Sequence, residues 1–291
     1  MFRQDARWYF VFLFPALLLL VGITFGPFLY SIYLSFHSWT LTRPGAPSFV
    51  GFDNYVRMFN DGLFFRSIAT TAHILILCLA VQLPIGFFMA LLLNRPHPLI
   101  QPIRTLLLLP MMVTPIVAAL MWQMMFNNEY GPVRFFLNAL GVERVPIWLG
   151  DPNTALYAIV IVDSWQWTPM FMLFILAGLQ TIPNEYYEIA ALEGASPLQV
   201  FRHVIIPFVR PLLLVVVLLR GIDVIKLFDI IFVLTRGGPG SATETMTYYA
   251  YRRGFAEFDM GYAATLALFI LVLAIVTSTQ AIRLFGRRES I

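Results

Sequence analysis

Apolar residues run along this chain in long blocks, and polar residues gather in the gaps between them. Six blocks, at about 8–33, 69–93, 104–126, 154–180, 208–235 and 260–284, are long enough to cross a bilayer, which takes about 20 helical residues. None alternates with period two as a barrel strand would. Hydrocarbon also offers no partner to open backbone groups, so each block is predicted to be a helix. The chain reads as an all-α integral membrane protein with a single transmembrane domain over 1–291, undivided by linkers or low-complexity tracts. Arg3 and Arg7 precede the first block, but its apolar run is too long for a signal peptide and no small-x-small site follows, so it reads as a retained helix.

One gap differs from the rest. Between the fourth and fifth blocks lies PNEYYEIAALEGASPLQVFRHVIIPFVRP, residues 183–211, which is charged yet helical in pattern. Asn184 is placed to cap a short helix, with Glu185 and Glu188 expected in its opening turn, where acidic groups complement the helix dipole. Gly194 falls where that helix should end, because glycine accepts the left-handed cap conformation. Ser196-Pro197-Leu198-Gln199 has the form of a capping box with proline at the first helical position. Pro207 is expected to stop the second helix. The prediction is a soluble helix–turn–helix whose Tyr187, Ala190, Leu192, Leu198, Phe201 and Ile205 are available to dock on something. Its bland alternative is a connector with no partner.

Composition agrees with the block pattern: 59% of the 291 residues are hydrophobic and 12% charged, roughly half the charged fraction of a soluble domain. Six spans put both termini on one side. Arg3, Arg7, Arg95, Arg104, Arg202, Arg210, Arg283, Arg287 and Arg288 would then lie inside. Arg43, Arg57, Arg66, Arg134, Arg144, Arg236, Arg252 and Arg253 would lie outside. The totals nearly tie, but the inner loops are shorter, so basic density favours termini inside. The net charge of +3 thus reflects topology, and nucleic acid is not an expected partner. Cys78 is the lone cysteine, which excludes an internal disulfide, and within a span it reads as a small buried hydrophobe. The longest outer loops, 37–66 and 127–153, mix aromatics and prolines, suiting either the membrane surface or a soluble partner.

Candidate chemistry is concentrated in the last half of the chain. Arg220, Asp223, Lys226 and Asp229 recur every three residues in the fifth block. Opposite charges at i, i+3 can pair along a helix, and an unpaired charge at mid-membrane is costly. The ladder either neutralises itself or turns partly toward a water-filled path to hydrogen-bond a polyhydroxylated solute. Each step of three turns a side chain back by about 60°, so the four cannot share one face. Asp163, Trp165 and Trp167 in the fourth block could present flat aromatic faces and a carboxylate to a sugar, or the tryptophans could anchor at the headgroups. The methionines, Met111, Met112, Met121, Met124 and Met125 among them, read as adaptable packing. Gly237-Gly238-Pro239-Gly240 is no phosphate loop, since the sole lysine is Lys226 and a Walker A segment needs G-x-x-x-x-G-K-[ST]. The glycines instead suit a sharp turn. Four scattered histidines offer neither a triad nor a metal site, so no catalytic residue and no metal is assigned. Energy must enter from another chain or from an ion gradient.

The gap at 183–211 resembles the EAA loop, E-A-A-x3-G-x9-I-x-L-P, of ATP-binding-cassette importer permeases. Glu188 takes the acidic position, Ala190 the second alanine, Gly194 the glycine and Val204-Ile205-Ile206-Pro207 the closing pattern, while Ile189 replaces the first alanine. FVGFDNYVRMF at 49–59, LAGLQTIP at 176–183 and the T-x-G-G-P and F-x5-G-x-A stretches within 228–264 are similar to segments of carbohydrate-type, maltose/glycerol-phosphate-like permeases. The resemblance implies six helices in the type I importer arrangement, with a cytoplasmic coupling helix–turn–helix between the fourth and fifth. It implies ATPase coupling through Glu188, Ala190, Ala191, Gly194, Ala195 and Pro207, and a sugar path near Lys226 and Asp229, with Asp223, Asp163, Trp165 and Trp167 as further candidates. It also implies partners: a second permease of different sequence, two ATPase subunits that use the ATP and magnesium, a soluble solute-binding protein, and lipid. No cofactor is expected in this chain itself, which would sit in a bacterial inner membrane. The competing reading is a secondary transporter that couples a polar solute to protons or sodium through Asp223, Lys226 and Asp229.

Overall fold

Long apolar runs with few internal breakers give long helices, and the breakers that do occur decide where the helices bend. The computed structural model describes residues 2–43 and 45–286. Pro44, Arg287, Arg288 and the side chains of Arg3 and Arg7 lie outside what it describes. In chain order the helices are α1 (Phe2–Ser35), α2 (Asp53–Phe59), α3 (Gly62–Leu93), α4 (Ile100–Met112), α5 (Pro115–Met125), α6 (Pro132–Ala139), α7 (Pro152–Gln180), α8 (Asn184–Leu192), α9 (Pro197–Val200), α10 (Ile206–Ile225), α11 (Asp229–Leu234), α12 (Met246–Tyr251) and α13 (Met260–Gly286). Single π-helical turns occupy Phe201–Ile205 and Arg252–Ala256. Among the described residues the only strands are a two-residue antiparallel pair, β1 (His37–Ser38) with β2 (Ser48–Phe49), beside a single bridge between Thr40 and Asp259. Among the described residues, five helical runs are long and apolar enough to cross a membrane, and α4 with α5 makes a sixth only as a pair bent by 94°.

Two expected spans are therefore broken. The block at 104–126 fails at Val113–Thr114, both extended. Pro110 removes a donor, and Pro115 drives the residue before it out of the helical region. The Gln166 amide on α7 donates to the Val113 carbonyl at 2.6 Å, as backbone freed at membrane depth requires. The block at 208–235 fails at Lys226, after which α11 starts afresh at Asp229. Thr247 donates to the Ile225 carbonyl at the end of α10, and Thr245 to the Leu227 carbonyl within the break. Pro207 does not stop a helix either: the helical run Pro197–Ile225 passes straight through it. The π-helical turn at Phe201–Ile205 shifts the bonding register, with the Ile206 amide reaching Phe201. The proline then enters at the start of α10, where its missing donor costs little.

The chain divides into two compact units, Met1–Phe64 with Ala250–Val272, and Phe65–Tyr249 with the segment from Leu273 onward. The first is closed by polar contacts around the end of α1. The buried Asn54 amide donates to the carbonyls of Ser35 (2.9 Å) and His37 (3.0 Å), and the Tyr55 hydroxyl to Ser35 Oγ (2.9 Å). Arg57 pairs with Asp259 at 2.7 Å and lies 4.1 Å over the Tyr262 ring, whose hydroxyl donates to Asp61. The F-x-G-x-x-N-Y and F-x5-G-x-A segments thus hold each other. Gly261 is obligatory here, because a Cβ would lie 2.0 Å from the His37 carbonyl oxygen. Gly261→Ala is expected to destabilise this unit by about 3 kcal/mol, the upper range for overpacking. Faster proteolysis at the 37–41 segment of the purified variant would report it. His37 also gains a partner the sequence did not reveal: its Nδ1 sits 2.7 Å from the Tyr33 carbonyl.

In the second unit α7 is the central helix. Its Phe171, Met172, Ile175, Leu176 and Leu179 pack with Phe87, Ala90 and Leu93 of α3 and with Val209 and Val216 of α10. Gly86 permits the α3–α7 approach, since a Cβ there would come within 2.5 Å of Phe171 Cβ. Beyond α11 the glycine run turns the chain as expected, with Gly237 and Gly240 at positive φ. Met112, Met121 and Met124 are exposed and do not fill a core within this chain.

Candidate functional site

The segment 183–207 forms a helical knob with a cleft of about 350 Å³ lined by Tyr186, Ile189, Ala190, Gly194, Gln199 and His203, among others. Pro183, not Asn184, takes the N-cap position of α8, and Asn184 is its first helical residue. Glu185 alone is acidic in the first turn, leaving Glu188 exposed one turn on. Gly194 ends α8 with φ +69°. The Gly194 amide returns to Ala191 (3.1 Å) and the Ala195 amide to Ala190 (2.9 Å), the paired bonds of a Schellman end. The capping box is complete: the Ser196 amide donates to Gln199 Oε1 (2.7 Å), and the Gln199 amide to Ser196 Oγ (3.4 Å).

The apolar residues of the knob divide in a way periodicity did not show. Tyr187, Phe201 and Ile205 turn inward onto the α3–α7–α10 core, with Phe201 5.3 Å edge-on to Phe87. Their part is to hold the knob on, and burial pushes the Tyr187 phenol up from its usual pKa. Ala190 is buried at 8% exposure. The outward set is Tyr186, Ile189, Leu192 and Leu198, with Leu192 88% and Leu198 74% exposed. Tyr186 and Ile189 were missed, although each is adjacent to a residue that was assigned.

The second polar site lies deep among α3, α7 and α10. Arg220 Nη2 donates to Asp163 Oδ2 in a buried ion pair. Gln82 Nε2 donates to the same oxygen at 2.7 Å, and Arg220 Nε donates to Gln82 Oε1 at 3.2 Å. All three side chains are essentially inaccessible, and the Trp167 ring centroid lies 5.1 Å from the Arg220 guanidinium carbon. The charged ladder therefore does not neutralise itself along one helix. Arg220 is spent on α7, while Asp223 and Lys226 are exposed and Asp229 is half-buried beyond the break. Asp163, a solute candidate by sequence, is fully buried and committed to Arg220. Trp165 meets Trp122 edge-on at 5.9 Å. Gln82 was overlooked, and its only signal was a lone amide inside an apolar run. Cys78 is buried one turn before it.

A helical knob joins two membrane-length helices, and the second of them breaks beside the exposed Asp223 and Lys226. Residues 82–289 match the family described as binding-protein-dependent transport system inner membrane component. The trehalose/maltose transport system permease protein of Thermococcus litoralis is 35% identical over 272 residues, covering 93% of this chain and 92% of that protein. The sulfoquinovosyl glycerol transport system permease protein of Agrobacterium fabrum is 34% identical over 275 residues, covering 94% and 89%. The fold matches, with TM-score 0.83 and 21% identity over 99% of this chain and 98% of the other, a bacterial ABC transporter involved in the import of the acidic polysaccharide alginate. Matched over most of its length by the family and almost end to end by these relatives, the chain belongs to the binding-protein-dependent inner membrane transport components, and is a permease subunit of an ABC importer.

Proposed function

We propose that this permease forms half of the translocation pathway for a sugar, oligosaccharide or polyol. The observation that carries this reading is the end-to-end similarity to permeases named for trehalose/maltose and sulfoquinovosyl glycerol transport. The other half is a second permease of different sequence. Two ATPase subunits on the cytoplasmic side, where both termini also lie, supply the ATP and magnesium chemistry. A soluble binding protein delivers solute from the outer side. Tyr186, Ile189, Leu192 and Leu198 present an apolar face to the ATPase, with Gly194 lining the cleft and Glu188 exposed on α8. Closure of the ATPase pair draws the two knobs together, and the motion reaches the pathway through α7 and α10. Solute contact falls to the accessible charges near the α10 break, Asp223, Lys226 and Asp229.

The test is uptake of radiolabelled trehalose, maltose and polyols into proteoliposomes holding the full complex, with ATP enclosed and binding protein outside. Uptake of at least one of them is expected to require both ATP and the binding protein. Uptake that persisted without ATP and collapsed with the proton gradient would restore ion coupling through Asp223, Lys226 and Asp229.

A further inference from the structure

We infer that Asp163, Arg220 and Gln82 form a positioning lock that makes α7 and α10 move as one lever, so that displacement of the knob reaches the break at Lys226 undiminished. The inference rests on the importer reading above. α7 and α10 are joined at one end by the knob, whose segment runs from Gln180 to Ile206. Near that end apolar packing holds them: Val209 and Leu212 lie against Gly178, where a Cβ would sit 3.1–3.3 Å from both. Greasy contacts of this kind resist separation but permit sliding.

The far end is held differently. Asp163 lies 17 residues before Gln180 and Arg220 13 residues after Pro207, about 25 and 20 Å along their helices at 1.5 Å per residue. There the ion pair joins α7 to α10, and Gln82 ties both to α3 by one bond to each charged partner. A charge-assisted, hydrogen-bonded pair is directional. Sliding either helix by one residue would leave a buried charge without its partner, which the interior penalises heavily. The hairpin is thus closed at both ends. α10 continues only five residues past Arg220 before the helix fails, so a tilt of the lever is delivered to the break at Lys226.

The test is radiolabelled trehalose, maltose or polyol, whichever the wild-type complex takes up in the assay above, moved per ATP hydrolysed in proteoliposomes with the full complex. Asp163→Asn keeps the shape but leaves Arg220 buried with its charge uncompensated. It is expected to lower that ratio by about fivefold or more, the low end of coupling effects, with hydrolysis continuing, while Asp163→Glu keeps most of the coupling. Gln82→Met, which leaves the ion pair intact, should give a smaller loss and decides the matter if Asp163→Asn does not assemble. A variant that assembles poorly but moves the wild-type amount per ATP would reduce the network to mere stability and overturn the inference. So would Gln82→Met matching wild type where Asp163→Asn cannot be assembled. Wild-type complex without ATP-dependent uptake would instead defeat the importer reading itself, which separates the two failures.

Discussion

Gly194→Asp is expected to abolish uptake while the permease still inserts and folds. The residue ends α8 at φ +69°, a conformation that costs an L residue other than asparagine or aspartate roughly 1–2 kcal/mol. Aspartate bears only part of that cost, so strain alone would not silence the transporter. Space decides the outcome. A Cβ at Gly194 would meet nothing within 4 Å, and the residue lines the open cleft of the knob. Within this chain the substitution is tolerated, and the added carboxylate meets whatever fills the cleft. If that is an ATPase subunit, the variant should reach the membrane at normal abundance, fail to co-purify the ATPase and show no uptake. Gly194→Asn would add nearly the same bulk without charge, and its uptake should fall less. Full transport and full ATPase stimulation in the aspartate variant would remove the cleft from the coupling path.

What could be read in the sequence follows from how local each determinant is. The helical character of the blocks rests on hydrophobicity alone, and the knob's turn rests on Gly194 and Ser196–Gln199, whose bonds close within a few residues. Both were legible. The breaks at Val113 and Lys226 were not. Proline inside an apolar run is common, and what stabilises these breaks is distant: Gln166 for one, Thr245 and Thr247 for the other. The regular spacing of Arg220, Asp223, Lys226 and Asp229 was likewise misleading, since a three-residue period shows which charges could pair along a helix. It says nothing of Asp163, 57 positions away. The likeness of 49–59 and 255–263 to segments of related permeases was visible one segment at a time. Their mutual contact, Arg57 with Asp259 and Gly261 beside the Asn54 amide, exists only once the chain returns on itself.

Leu192→Asp and Phe201→Ala should separate the two faces of the knob that the sequence had merged. Leu192 is 88% exposed, so a charge there costs this chain almost nothing. In a docked complex the same position loses the burial of a leucine, about 1.5–3 kcal/mol, and adds the desolvation of a carboxylate. Affinity for the ATPase should fall by about 100-fold or more, at roughly tenfold per 1.4 kcal/mol. Phe201 is half-buried against Phe87 and the α3–α7–α10 core. Removing its ring should cost about 2–3 kcal/mol of stability, below the 3–5 typical of a fully buried phenylalanine. Thermal unfolding of the detergent-solubilised permease, together with ATPase titration, reads both quantities on the same samples. Leu192→Asp should leave the unfolding temperature in place and weaken docking, and Phe201→Ala should lower the temperature first. The opposite pattern would mean that the knob meets its partner with Tyr187, Phe201 and Ile205, and that the packing seen on its inner face is given up on assembly.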